Sequence, residues 1–127
     1  MKANTNGGVV MKTKVTIQEK NLVIKPQGLD KIWALKDKLI IPLAHVKNLK
    51  VDGKILEGYK GIRIPGTAIP GYYYAGTFKK EGKKTFYNTH QNATPLVIEL
   101  KNEDFDRLII EVDEPESVIN EIESQLS

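Results

Sequence analysis

Asp113-Glu114-Pro115-Glu116-Ser117-Val118-Ile119-Asn120-Glu121-Ile122-Glu123-Ser124-Gln125-Leu126 is the stretch on which the fold turns. It opens with a helix start signal: Asp113 as N-cap, a proline in the first turn, and Glu116 three residues after the cap. The acids complement the positive end of the helix dipole. Val118, Ile119, Ile122 and Leu126 then recur at helical spacing, which leaves Glu121, Glu123 and Gln125 outward. A helix this short is marginal alone, so its apolar stripe has to dock on a larger element.

Everything upstream reads as strand. Leu96-Val97-Ile98-Glu99-Leu100 and Phe105 to Val112 form one pair, with Leu96, Ile98 and Leu100 on a shared face and Leu108, Ile110 and Val112 on another. Tyr72 to Thr89 reads as a hairpin whose tip is Lys80-Glu81-Gly82-Lys83. At the other end, Thr13 to Gln18 alternates with Val15 and Ile17 inward, Glu19-Lys20-Asn21 makes a tight connection, and Leu22-Val23-Ile24-Lys25 returns. Pro26 and Gly28 end that hairpin. Leu39 to Leu43 is a short apolar run in which Pro42 suits an edge or a strand end. Val46 and Leu49 are out of phase for a regular strand and predict a bulge or helical turn near His45, while Asp52-Gly53 carries turn chemistry. Leu29 to Asp37 has no strict alternation and is compatible with a short helical turn. Between Gly53 and Gly71 the pattern fades, and two Pro-Gly steps at 65–66 and 70–71 mark an irregular loop of the kind that is often functional.

With 127 residues, 40% apolar and 28% charged, the chain fits one domain with a modest core. Residues 1–12 read as a flexible leader and 13–127 as the domain. The chain has no cysteine, which excludes a disulfide framework and thiolate metal sites and favours a reducing, cytoplasmic setting. No run of apolar residues approaches a membrane span, and the N-terminus lacks the apolar segment of a signal peptide. The net charge of +3 hides a division: residues 1–84 hold 17 Lys/Arg and 6 Asp/Glu, whereas 85–127 hold 2 and 10. Two explanations stand, a dipolar surface that steers an anionic partner and a simple solvation of separate faces.

Strands first and a single acid-capped helix last is the order of a pleckstrin-homology-like (PH-like) barrel. Gly28 to Lys36, Ile41 to Val46, Gly66 to Gly71, Ala75-Gly76-Thr77-Phe78 and Ile110 to Pro115 resemble a family of bacterial PH-like domain proteins across roughly residues 13 to 126. The resemblance implies a mainly β (α+β) fold of about seven or eight antiparallel strands, capped by one C-terminal α-helix, and a binding or scaffolding role. In two respects the chain departs from eukaryotic PH domains. Its one tryptophan, Trp33, lies far upstream of the terminal helix, and the first hairpin loop, Gln18-Glu19-Lys20-Asn21, carries a single lysine beside an acid. No headgroup site of the usual kind is expected at that loop.

Catalysis has little support, because His45 and His90 are the chain's histidine bases and neither has a partner at metal-ligand spacing. His45 is expected to cap or pack, His90 to be exposed in a polar loop, and Glu103, Asp104 and Asp106 to form a solvated turn. No catalytic, cofactor-binding or metal-binding residue is assigned, and phosphate-loop motifs are absent. Two sites are. The first is a surface for a protein partner on loop 61–78, carried by Arg63, Pro65, Pro70, Tyr72 and Tyr73. The second is a contact for phosphate or anionic lipid through Lys79, Lys80, Lys83 and Lys84, which also serve to keep the hairpin soluble and its edge unpaired. A nucleic-acid partner is not expected, since alternation sends about half of the neighbouring aromatics inward. Self-association is left open.

Overall fold

The computed structural model describes residues 13–26, 38–57, 62–63, 73–90 and 92–126, with backbone alone at Pro26, Ile62, Arg63, Tyr73 and Ala75, and among these described residues it has nine strands, two 3-10 turns and a C-terminal helix. The strands are β1 (Thr13–Gln18), β2 (Asn21–Pro26), β3 (Leu39–Pro42), β4 (Val46–Val51), β5 (Ile62–Arg63), β6 (Tyr73–Lys80), β7 (Lys83–His90), β8 (Leu96–Leu100) and β9 (Arg107–Ile110), and the helix is α1 (Pro115–Leu126). They form a three-stranded sheet in the order β1-β2-β3 and a six-stranded sheet in the order β4-β8-β9-β7-β6-β5. The ambiguous stretch 29–37 and the Pro-Gly loop residues 64–72 lie outside the described residues.

Two hairpins are closed by the same device. Glu19 and Lys20 (φ 52° and 68°) join β1 to β2, and Glu81 and Gly82 (φ 53° and 80°) join β6 to β7. Positive φ at both central residues is what a two-residue type I′ turn requires, and its twist matches that of the strands it links. The disturbance expected near His45 is present twice, as a 3-10 turn at Leu43–His45 and as a register shift between Val46 and Asn48. Asp52 caps the second 3-10 turn, Gly53–Leu56, by accepting the Lys54 N–H at 2.9 Å. Pro42 ends β3, an edge strand, where its missing N–H costs no ladder bond.

The all-antiparallel expectation needs correction at one place: β7 and β9 run parallel, with Thr85 opposite Arg107 and Asn88 opposite Ile110. Successive strands in a small β domain are read as hairpins, but β8 does not return beside β7. It lies one strand further out, and β9 folds back antiparallel to β8 to fill the gap. That gap is about 10 Å, two strand spacings, and the residues between His90 and Leu96 span it easily at roughly 3.3 Å each. The strands among the described residues agree with the expected number of about seven or eight when the two-residue β5 is set aside.

One core lies between the sheets. Leu22 and Ile24 of β2, Ile41 of β3, Phe86 of β7, Leu96, Ile98 and Leu100 of β8, and Leu108 and Ile110 of β9 meet there. The helix adds Ile119 and Ile122, and packs against β4 and the Leu43–His45 turn. Val118 is half-buried at the edge of the stripe, and Leu126, at the free end, remains 43% exposed. The helix starts at Pro115, so Glu114 stands before it; the Glu114 carbonyl accepts the Ser117 N–H at 3.0 Å, and its carboxylate accepts Ser117 Oγ–H at 3.4 Å. Proline at the first helical position sacrifices no intrahelical bond, which is why the start falls there.

A second, smaller cluster sits on the outer face of the six-stranded sheet: Leu56, Tyr87, Val97 and Ile109, with Ile55, Tyr74 and Phe78 against them. The middle of β8 and β9 is therefore buried on both faces. Their sequences record it as unbroken apolar runs, Leu96-Val97-Ile98 and Leu108-Ile109-Ile110, in place of strict alternation.

Where the sheets meet there is a polar seam. The Thr13 N–H donates to the Glu111 carbonyl at 2.9 Å, Asn88 Nδ2 donates to Thr13 Oγ1 at 2.8 Å, and the Glu111 N–H donates to the Asn88 carbonyl at 2.9 Å. Asn88 is fully buried, and its Oδ1 has no hydrogen-bond partner among the described residues.

Candidate anion-binding site

The β6–β7 hairpin ends in four lysines that oppose one another in pairs: Lys79 faces Lys84, and Lys80 faces Lys83. Like charges directly across a ladder repel. Strand alternation then sends the two pairs to opposite faces. Lys80 and Lys83 turn to the outer face, where they line a cavity with Ile55, Glu57, Glu81, Thr85, Tyr87 and Arg107. Lys84 turns the other way; its Nζ stands 5.7 Å from the centre of the Phe105 ring, and Phe105 packs on the main core. The four lysines thus make two separate surfaces.

Arg107 is the residue that sequence reasoning did not single out. It enters β9 opposite Thr85 on one side and Glu99 on the other, which places it diagonally from Lys83 on the same face. Its Nε is shielded from solvent and lies 3.4 Å from Glu99 Oε2, close enough for charge attraction but without hydrogen-bond geometry. Tyr87 forms the inner wall. Its ring meets Phe78 edge-on at 5.0 Å and Tyr74 at 6.1 Å, opposite Gly76, whose φ of 138° suits glycine. Burial pushes the Tyr87 phenol above its ordinary range, with the Arg107 charge acting in the opposite sense and Tyr74 adding to the rise. A signal was present in Lys83-Lys84-Thr85-Phe86-Tyr87: alternate residues there are polar or amphipathic and share the face of Lys83.

For the protein-partner surface the backbone is placed at two of its residues. Arg63 lies in β5, the outermost strand of the six-stranded sheet, opposite Phe78, and Tyr73 opens β6 opposite His90. Pro65, Pro70 and Tyr72 lie outside the described residues.

Both histidines have acidic partners. His90 is the last residue of β7, half-buried rather than loop-exposed, and its Nδ1 and its backbone N–H both meet Glu111 Oε1, at 2.8 and 2.9 Å. His45 Nδ1 meets Glu103 Oε2 at 2.5 Å, and the His45 carbonyl accepts the Lys101 N–H at 2.9 Å. The acidic turn is accordingly less solvated than expected, since Asp106 Oδ2 also accepts the Lys84 N–H at 2.8 Å. Neither histidine lines the cavity. Among the described residues no three His, Asp or Glu side chains converge as a metal site would require, and no helix is long and apolar enough to cross a membrane.

Residues 13–126 match the family model described as Bacterial PH domain. The chain belongs to the bacterial PH domain family. Comparison with curated proteins and with solved structures returns no match. The family match accounts for the strand-rich body and the terminal helix of this bacterial PH domain. It also suggests a binding module, whose ligand has to be argued from the site itself.

Proposed function

We propose that this bacterial PH domain is a non-catalytic, cytoplasmic binding module, with its two sheets rolled into a PH-like barrel whose end is closed by α1. The Thr13–Glu111 backbone bond between β1 and the end of β9 supports such a closure. Its binding face is the lysine-tipped end of the β6–β7 hairpin, and its partner is an anionic, phosphate-bearing surface. The observation that carries this reading is the pairing of Lys79 with Lys84 and of Lys80 with Lys83. Each pair sets two lysines side by side at the end of the sheet, one pair on either face, and an anion is attracted by both members of a pair. Sedimentation with vesicles of phosphatidylglycerol is the test. Binding at low salt should fall steeply between about 50 and 500 mM salt, as the screening length drops well below 10 Å. No sedimentation at the lowest salt rejects the proposal.

A protein partner docking along 61–78 is a second reading, favoured by the place of β5 at the sheet edge, where Arg63 is positioned beside an extended segment that adds to the ladder. Co-purification that survives Arg63→Ala with Tyr73→Ala refutes that placement.

A further inference from the structure

We propose that the outer-face cavity beneath the β6–β7 tip is a site for one phosphate monoester group, with Arg107 as its central ligand and Lys80 and Lys83 as flanking charges. The inference rests on the reading of the hairpin as an anion-binding face, and it names the pocket and the chemistry.

Geometry comes first. Lys80, Lys83, Thr85 and Arg107 follow one another across β6, β7 and β9 through consecutive ladder partners, on one face and at one end of the sheet. That end is where the outer apolar cluster stops, so Tyr87 and Ile55 meet the cavity beside three cations. The cavity has a volume of about 370 Å³, at the small end of the 300–1,000 Å³ typical of small-molecule sites. It accommodates a phosphate with a few attached carbons.

Chemistry narrows the ligand further. Three cations and two carboxylates, Glu57 and Glu81, line the cavity, so its net charge is positive but small. A planar guanidinium matches the oxygens of a phosphate in a two-point contact, and the ammonium groups supply point charges. Thr85 and Tyr87 add hydroxyl donors at the wall. Glu57 and Glu81 lower the net charge of the wall, which favours a single phosphate group over an extended polyanion. Lys79 and Lys84, on the other face, take no part.

The full chain is titrated calorimetrically with inorganic phosphate and with glycerol 3-phosphate, and separately sedimented with phosphatidic acid and phosphatidylglycerol vesicles. Arg107→Gln, and Lys80→Gln with Lys83→Gln, should each weaken monoester binding about tenfold or more, as loss of a charge-assisted contact implies. Lys79→Gln with Lys84→Gln should leave it nearly unchanged. The same variant pattern with phosphatidic acid vesicles, and not with the free esters, assigns the phosphate to a lipid headgroup and supports the site. Should Arg107→Gln unfold the chain, the two lysine pairs decide alone. Equal loss from both lysine pairs, with Arg107→Gln neutral, overturns the pocket and leaves the hairpin reading intact. Failure of every phosphate species and every vesicle to bind overturns both.

Discussion

Thr13→Val is a nearly isosteric change, and it should cost more than its size suggests. Thr13 is 4% exposed, and its hydroxyl is the acceptor for Asn88 Nδ2 at 2.8 Å. Asn88 is fully buried, and its Oδ1 already has no partner among the described residues. Valine at 13 leaves the amide with neither group satisfied through its side chain, a penalty of about 1–3 kcal/mol for a stranded buried donor. The backbone bond from residue 13 to Glu111 survives the substitution, so the loss belongs to the side-chain contact alone. Replacing both partners is a different matter. In Thr13→Val combined with Asn88→Leu, apolar groups of similar shape meet, and the orphaned Oδ1 is removed as well, so the double variant should be more stable than Thr13→Val alone. Urea unfolding at constant slope measures both values. A domain of this size loses roughly 3–5 °C in Tm per kcal/mol, so a loss of about 2 kcal/mol in the single variant is easily resolved. A neutral Thr13→Val, or a double variant whose losses simply add, would falsify the account of the seam.

Ile122→Ala should destabilise by about 2–5 kcal/mol through lost burial and the cavity left behind, since Ile122 is 1% exposed in the main core; Leu126→Ala, at a position 43% exposed, should change denaturation midpoints by much less. Equal effects would mean that the helix docks by another face. Lys20→Gly should raise stability by roughly 0.5–1 kcal/mol, because Lys20 holds a φ of 68° in a two-residue turn and the left-handed penalty of about 1–2 kcal/mol exceeds the entropy that glycine adds to the unfolded chain. A lower melting temperature contradicts this. The Tyr87 phenol is raised by burial, so its contribution to stability is complete below the unfolded tyrosine value near pH ~10 and is lost as pH rises through the higher folded value. Absorbance titration of the native chain should show a late-ionising tyrosine that disappears in Tyr87→Phe; its persistence in that variant assigns the shift elsewhere.

Those parts of the fold written in short-range chemistry were legible in the sequence. The helix from Pro115 to Leu126, both two-residue hairpins and the break near His45 follow from caps, turn residues and periodicity. The sequence shows less of what depends on order in space. Nothing between His90 and Leu96 declares that β8 skips a strand position, so the parallel β7–β9 pair was hidden. The helix begins at Pro115, where the proline of Asp113-Glu114-Pro115-Glu116 places its first turn. For the site, the lysine cluster was visible as a run, whereas its division into two faces needed the register Lys80↔Lys83. Arg107 lies more than twenty residues from the hairpin tip and enters the cavity only through the pairing with Thr85 that the skipped strand makes possible.

That last link joins the topology to the chemistry. Had β8 returned beside β7, Glu99 and Val97 would occupy the strand next to Thr85, and the cavity would have gained an acid where it now has a guanidinium. Inserting β9 between them puts Arg107 beside Thr85 and keeps Glu99 one strand further away, as the attracting partner rather than the lining residue. The same insertion buries Ile109 and Val97 on the outer face in one cluster with Tyr87, the aromatic residue of the cavity lining. Meanwhile Leu108 and Ile110, alternating with the site residues on the same strand, hold the main core. Strand alternation therefore separates the two tasks by one peptide unit. Lys83 is exposed, so substitutions there alter the outer face while leaving the inter-sheet core its full set of contacts, whereas Thr85 and Arg107 are tied into the sheet and carry a larger cost in stability.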